Sequence, residues 1–371
     1  MYRYLSVTLF AICFLSSVLH AEVRHILFIG NSYTAVNDLP NTLKSLALAM
    51  GDTLEVDSNA PGSMTFQAHT TNATTLAKIA TAGWDYVVLQ AQSQEPSFDP
   101  AQVAAETYPY AKILDSLIHV SNPCAETIFY MTWGRKNGDT SNCAAYPPVC
   151  TYEGMQQRLR ESYLEMSQLN HATCAPAGVA WRTCRNTFPT IELYQADQSH
   201  PSLAGTYLVA CTFYSTLYHR STEGCSYNSS GLSTTDAGNL QHIASATILD
   251  SLENWQQYGS LPHPLFSFSN TVNQFTFTNQ SLRSTQYDWL FGDGSAMSHT
   301  VNPTHTYSNI GNYLVSLKAY DSCGKWEMYQ DSIHVLSVVS GVTSFNTDAR
   351  YLQYDGQGHL QFSTPEQDGS L

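Results

Sequence analysis

Two periods of apolar spacing alternate along roughly the first 258 residues. Unbroken apolar runs at Ile26–Ile29, Tyr86–Leu89, Ile128–Met131 and Pro176–Trp181 read as buried strands, with a weaker one at Leu54–Val56. Between them, apolar residues recur every three or four positions. Leu39, Leu43, Leu46, Ala47 and Met50 mark one helical stripe, opened by Asp38 and Pro40. Tyr152, Met155, Leu159, Tyr163 and Met166 mark a second, and Leu240, Ile243, Ala244, Ile248, Leu252 and Trp255 a third. This alternation predicts an α/β domain over 22–258, with a parallel sheet covered on both faces and ligands beyond the carboxyl ends of its strands. Residues 259–264, Gly-Ser-Leu-Pro-His-Pro, read as a linker. The period then falls to two. Phe266–Phe268, Gln274–Thr278, Tyr287–Phe291 and Tyr313–Tyr320 are the clearest strands of a small β-sandwich over 265–336. Residues 337–371 are polar and weakly patterned.

The start of the chain has a different character. Arg3 precedes an apolar run from Leu5 to Leu19, and Ala21 offers a small residue for cleavage. That is the form of a secretory signal peptide over 1–21, and the run is shorter than the about 20 residues of a membrane span. No later segment is apolar for long enough, so no membrane span is expected. The expected location is outside the cell or on its surface. Export permits disulfides among the eight cysteines beyond Cys13. Cys143 and Cys150 close a short loop and are the expected pair. Cys124 and Cys174 each precede a predicted strand and are placed to meet at one sheet edge, while Cys211 lies in an apolar helix.

Composition narrows the partners. With 43% hydrophobic residues among 371, the chain has material for a core. A net charge of −14 argues against nucleic acid, which requires a basic face. The 23 Tyr and 6 Trp favour neutral partners such as sugars. No CxxC or HExxH spacing occurs, so no metal and no cofactor are expected.

Chemistry concentrates at four loops. Gly30-Asn31-Ser32 leaves the first strand and sets a hydroxyl at the sheet's carboxyl edge. Asp197-Gln198-Ser199-His200-Pro201 comes late, and Pro201 suits the first position of the next helix. There His200 can take a proton from a serine and Asp197 can orient the imidazole. Gly62 follows the second strand and permits close backbone approach. Gln90, Gln92 and Gln94 leave the third strand, and their amide N–H groups suit a developing oxyanion. Taken singly, each has an ordinary reading: a polar turn, a capping Asp or a solvated loop.

Together, in this order, Ser32, Gly62, Gln92 and Asp197/His200 resemble the SGNH (GDSL-type) hydrolases, in the branch with GNSYT in place of GDSL. The resemblance spans nearly all of 22–258. It implies a three-layer α/β/α sandwich around a five-stranded parallel sheet and a carboxylic ester hydrolase. The implied nucleophile is Ser32, with His200 as base and Asp197 as its partner. The implied oxyanion hole is Ser32, Gly62 and a third donor among Gln90, Gln92 and Gln94, with Gln92 preferred. Asn31 replaces the family's Asp, and Gln90-Ala91-Gln92 its Gly-x-Asn. Asn31 and Gln90 are assigned to substrate binding. So are Trp133, as a stacking surface for sugar, and Arg135, as a holder of anions; a packed Trp and a solvated Arg are the alternatives. Acylated carbohydrate, or another small ester, is the expected substrate.

The sandwich brings its own resemblance. Trp289-Leu290-Phe291-Gly292-Asp293-Gly294 and the run from Pro303 through Tyr307 to Ala319 resemble PKD domains, immunoglobulin-like extracellular modules. A spacer role is preferred over glycan or cell-surface contact, and Asp293 reads as a turn former. Leu352–Tyr354 and His359–Phe362 resemble the opening strands of a C-terminal sorting domain of the type IX secretion pathway. Two competing functions are a non-catalytic carbohydrate-binding or adhesion protein, and a glycoside hydrolase using Glu95 and Asp197 as paired carboxylates.

Overall fold

The computed structural model describes residues 23–228, 231–255 and 262–338, and the backbone of 351–354 and 360–363. The expected leader, half of the linker and parts of the tail lie outside these residues. The chain divides into two compact units. The first holds the described residues up to His263 together with 283–285 and 320–327; the second holds 264–282, 286–319 and 328 onward.

The first unit has five strands: β1 (Val23–Ile29), β2 (Thr53–Asn59), β3 (Tyr86–Leu89), β4 (Glu126–Tyr130) and β5 (Thr173–Ala175). They lie in the order β2-β1-β3-β4-β5, and every neighbouring pair is parallel. Its helices are α1 (Ser32–Ala35), α2 (Leu39–Ala49), α3 (Phe66–His69), α4 (Ala73–Ile79), α5 (Pro100–Glu106), α6 (Tyr108–Ser121), α7 (Tyr152–Leu169), α8 (Ala177–Thr187), α9 (Leu203–Tyr218) and α10 (Thr234–Leu249). Strand residues alternate between two cores. Ile26, Phe28, Val88, Ile128 and Tyr130 pack with α2, α8, α9 and α10. Leu27, Ile29, Val87, Leu89 and Phe129 pack with α3, α6 and α7. Period-two side chains feeding two separate cores are the physical content of the three-layer sandwich.

Several helix starts were visible in the sequence. Asp38 caps α2 and Pro40 occupies its first turn, where a missing N–H costs nothing. Ser202, by contrast, caps α9 through the Gly205 N–H, so Pro201 stands outside the helix it was expected to open. The expected strand at Pro176–Trp181 is the start of α8, and β5 is the three residues before it. An apolar run reports burial on both sides; it does not report conformation. Cys143 and Cys150 are bonded as expected. Cys124 bonds to Cys323 instead of Cys174, whose thiol is buried on β5 and takes part in no disulfide. Cys211 is buried within α9.

The second unit contains β6 (Phe266–Thr271), β7 (Gln274–Asn279), β8 (Gln286–Leu290), β9 (Thr304–Thr306) and all but the adjoining ends of β10 (Gly311–Tyr320) and β11 (Trp326–Val335). They form two three-stranded sheets, β6-β7-β9 and β11-β10-β8. Phe266, Phe275, Phe277, Trp289, Phe291, Tyr307, Val315 and Leu317 fill the space between them. Asp293 accepts the Ser295 N–H at 3.0 Å and pairs with His305 at 2.7 Å, which suits a turn former. The tail strands β12 (Tyr351–Tyr354) and β13 (Leu360–Ser363) pair antiparallel. Among the described residues no helix is long and apolar enough to cross a membrane.

Packing in the first unit can be tested at two helical glycines. A Cβ at Gly205 would lie 2.4 Å from Leu193 O and 2.5 Å from the Trp181 ring, whereas one at Gly238 would meet nothing within 4 Å. Gly205→Ala is expected to lower stability by about 1–3 kcal/mol through overpacking. Gly238→Ala is expected to raise it by about 0.5–1 kcal/mol through helix propensity. Urea unfolding of both variants checks the pair, and equal effects would contradict the packing described.

Candidate active site

The carboxyl ends of β1 and β3 are held together by amides. A Cβ at Gly30 would fall 2.6 Å from Gln90 Oε1 and 2.7 Å from Thr34 Oγ1, so only glycine lets Gln90 reach the end of β1. Gln90 Oε1 accepts the Asn31 N–H at 2.9 Å and the Thr34 hydroxyl at 3.0 Å, and its Nε2 donates to Asn31 Oδ1 at 2.9 Å. Asn31 Oδ1 also accepts the Tyr33 N–H at 3.1 Å, capping α1. Asn31 Nδ2 donates to Met64 O at 3.1 Å and Ala91 O at 3.3 Å. Three loops therefore meet on one buried Asn–Gln pair.

Ser32 opens α1. Its N–H has no acceptor among the described residues, as expected of a first helical position. His200 Nε2 lies 2.9 Å from Ser32 Oγ across 168 positions of sequence, and His200 Nδ1 is hydrogen-bonded to Asp197 Oδ2. Asp197 Oδ1 accepts the N–H groups of Ser199 at 3.1 Å and His200 at 3.0 Å. Burial pulls the Asp197 carboxyl upward. The hydrogen bonds from the His200 side chain and these two N–H groups outweigh it, holding the carboxyl below its ordinary value.

The turn carrying His200 is held from several sides. It closes on itself through Gln195 N–H to His200 O at 2.8 Å, with Gln198 in the left-handed region at φ 61°. The loop after β4 braces it from outside. Trp133 Nε1–H donates to Ser199 O at 3.1 Å, and Lys136 N–H donates to Gln198 O at 2.9 Å. Tyr33 adds a hydroxyl contact to Ser199 Oγ at 2.7 Å.

In the third loop, Gln92 Oε1 accepts the N–H groups of Gln94 at 2.7 Å and Glu95 at 3.2 Å. Gln94 Nε2 donates to Asp139 at 2.6 Å. Gly62 is exposed; its N–H has no acceptor among the described residues, and a Cβ there would meet nothing within 4 Å.

Three expected substrate contacts are corrected. Asn31 and Gln90 are buried, with their amides committed to the protein, so they hold the loops instead of a ligand. Trp133 is fully buried; Tyr33 stacks on its ring at 4.9 Å and Trp181 at 3.8 Å, leaving no face for a sugar. Arg135 pairs with the buried Asp139 carboxylate at 3.3 Å and keeps part of its side chain exposed. For the glycosidase reading, Asp197 is already committed to His200 and its own turn. Among the described residues no group of three or more His, Cys, Asp or Glu could hold a metal ion.

The PKD domain family matches residues 268–335. The chain carries a PKD domain there. The PKD1 domain of Vibrio anguillarum Epp is 27% identical, covering 21% of this chain and 95% of its own, with a TM-score of 0.20. The first unit has the fold of a DUF4886 family protein from Bacteroides uniformis, at 19% identity and a TM-score of 0.53 over 62% of this chain and 95% of that one. The psychrotrophic esterase EstA from Pseudoalteromonas matches at 12% identity and a TM-score of 0.37, over 53% of this chain and 97% of its own.

Other site residues escaped sequence reading. His69 is fully buried, with Nε2 donating to Gly30 O at 2.8 Å and Nδ1 accepting from the Thr75 hydroxyl at 2.7 Å. Burial lowers its pKa, so the ring is a neutral bridge between the first two loops. Nothing in its local sequence signals this. Tyr33 and Ser199, by contrast, adjoin Ser32 and His200 and were visible as neighbours.

Glu95 gives a pH test of this region. Burial, and then the Glu106 charge, push its carboxyl up from 4.5 to about 7. Below 4.5 folded and unfolded chains both hold the proton. As pH rises from there to about 7 only the unfolded chain releases it, so stability falls. Glu95→Gln is expected to gain stability over wild type at pH 8 and little at pH 4, as urea midpoints would show. An equal gain at both would contradict the burial of this carboxyl.

Proposed function

We propose that the first unit is an exported serine esterase that removes O-acetyl groups from carbohydrate. The observation that carries the reading is the hydrogen-bonded chain Asp197–His200–Ser32, built from the two ends of the domain. Ser32 Oγ attacks the ester carbonyl carbon while His200 Nε2 takes its proton, and Asp197 stabilises the imidazolium. Collapse of the tetrahedral intermediate breaks the ester bond. The departing alcohol takes the proton from His200, leaving an acetyl-enzyme. Water repeats the sequence, releasing acetate and restoring Ser32.

The oxyanion forms where donors without protein acceptors gather. The Ser32 N–H meets that description as the first position of a helix, and the Gly62 N–H as an open glycine on the second loop. Gln92 Nε2 supplies the third donor, because its carbonyl end is tied back to its own loop. Gln90 is spent on Asn31 and Thr34, and Gln94 on Asp139, which favours Gln92 among the three. Acetyl and sugar rest on the family resemblance and on the Tyr-rich, acidic composition. Export rests on the leader-like start, the two disulfides and the PKD domain, for which we keep a spacer role.

Hydrolysis of para-nitrophenyl acetate tests the reading. Ser32→Ala is expected to remove nearly all turnover, and Gln92→Ala to lower kcat by about 10²–10³. A serine-reactive phosphonate should add one covalent group at Ser32, read by peptide mass. Wild-type turnover in Ser32→Ala would refute the assignment. No turnover or labelling in the wild type would favour the non-catalytic carbohydrate-binding alternative.

A further inference from the structure

Gln92 is gripped at both ends of its amide by one neighbour. Its Oε1 accepts the Gln94 N–H at 2.7 Å, and its Nε2 faces Gln94 Oε1 at 3.4 Å. Which end of the Gln94 amide turns towards Gln92 is decided further out, at Asp139. This carboxylate is fully buried and accepts from four donors: Gln94 Nε2 at 2.6 Å, Asn142 Nδ2 at 2.7 Å, Ser141 N–H at 3.2 Å and an Arg135 guanidinium nitrogen at 3.3 Å. A carboxylate in such a setting only accepts, so Gln94 must offer it the NH₂ end. The Gln94 carbonyl is thereby turned towards Gln92, where it takes one of the two Nε2 hydrogens and leaves the other free.

The segment bearing Asp139 is itself anchored. Asp139 N–H donates to Val149 O at 2.7 Å, and the Cys143–Cys150 disulfide closes the loop between them. A saturated buried carboxylate is costly to rearrange, because each donor it drops loses its partner away from water.

We propose that Asp139 is a positioning residue for ester hydrolysis: through Gln94 it fixes the Gln92 amide with one N–H presented to the oxyanion. The proposal rests on the reading of Gln92 as the third donor. It also gives a reason for the longer side chain at that position. Gln has one more rotatable bond than Asn and requires a brace that a shorter amide would not.

The test uses the full chain and para-nitrophenyl acetate. Asparagine at 139 must face a donor with a donor, at Gln94 or at Arg135, so Asp139→Asn disturbs the relay at nearly constant shape. Gln94→Met removes the relay and leaves Asp139 its other three donors. Either change is expected to lower kcat about ten- to a hundredfold with little change in KM. Neither should lower kcat further in a Gln92→Ala background, since the effect passes through that amide. An unchanged kcat in both single variants, or equal fold losses with and without Gln92, would overturn the proposal. A second readout requires no turnover. The Gln92 side-chain amide NMR signals, assigned by their loss in Gln92→Ala, should shift in both variants; signals that stay in place also overturn it. Should Ser32→Ala retain full turnover, the serine reading falls, and the amide signals still decide whether Asp139 sets Gln92.

Discussion

The site depends on one buried exchange of hydrogen bonds between two side-chain amides. Asn31 and Gln90 each give and take, and between them they engage the ends of β1 and β3, the cap of α1 and the carbonyls of Met64 and Ala91. In a dry interior each such group costs free energy if left unpaired, about 1–3 kcal/mol. The network therefore tolerates few alternative arrangements. Ser32 is placed by consequence, since it follows the capping residue directly. The glycine before it is equally constrained, because Gln90 occupies the space a Cβ would need.

The topology explains why this pair sits where it does. In the order β2-β1-β3-β4-β5 the connection from β1 steps sideways to β2, whereas the connection from β3 steps the opposite way to β4. The carboxyl ends of β1 and β3 are therefore the switch point of the sheet, the place where ligands bind in open parallel sheets. The loops after β1 and β3 flank it. His69, the last residue of α3, ties the segment after β2 to Gly30 as a neutral bridge.

His200 comes from a distant segment, so its placement beside Ser32 requires a separate support. That support is aromatic. Tyr33 and Trp181 each stack on Trp133 with planes 6° apart, and Tyr194 meets Trp181 edge-on. Trp133 and Tyr33 then reach Ser199, one residue before His200. The residue next to Ser32 thus helps hold the turn that carries His200. A rigid stack transmits position better than a solvated loop would, because close-packed rings have little room to move.

Much of this was legible in the sequence. The strands β1, β3 and β4, the stripes of α2 and α7, and the sandwich strands follow from spacing, because backbone geometry imposes periods of 2 and 3.6. Ser32, Asp197 and His200 could be singled out from their order along the chain, and the Cys143–Cys150 pair from its short loop. Spacing failed where burial alone writes the pattern: an apolar run became the start of α8, and Cys124 found a partner 199 positions away. Trp133, Gln90 and Gln92 mark the limit most clearly. The two glutamines look alike in sequence, yet one is walled in by Asn31 and Thr34 and the other is tied back to its own loop. Trp133 could equally have faced a sugar until Tyr33 and Trp181 closed over it. Local pattern determines what each residue can do, because it depends on neighbours a few bonds away. Which groups face one another is decided only when segments some 168 positions apart compete for the same buried space.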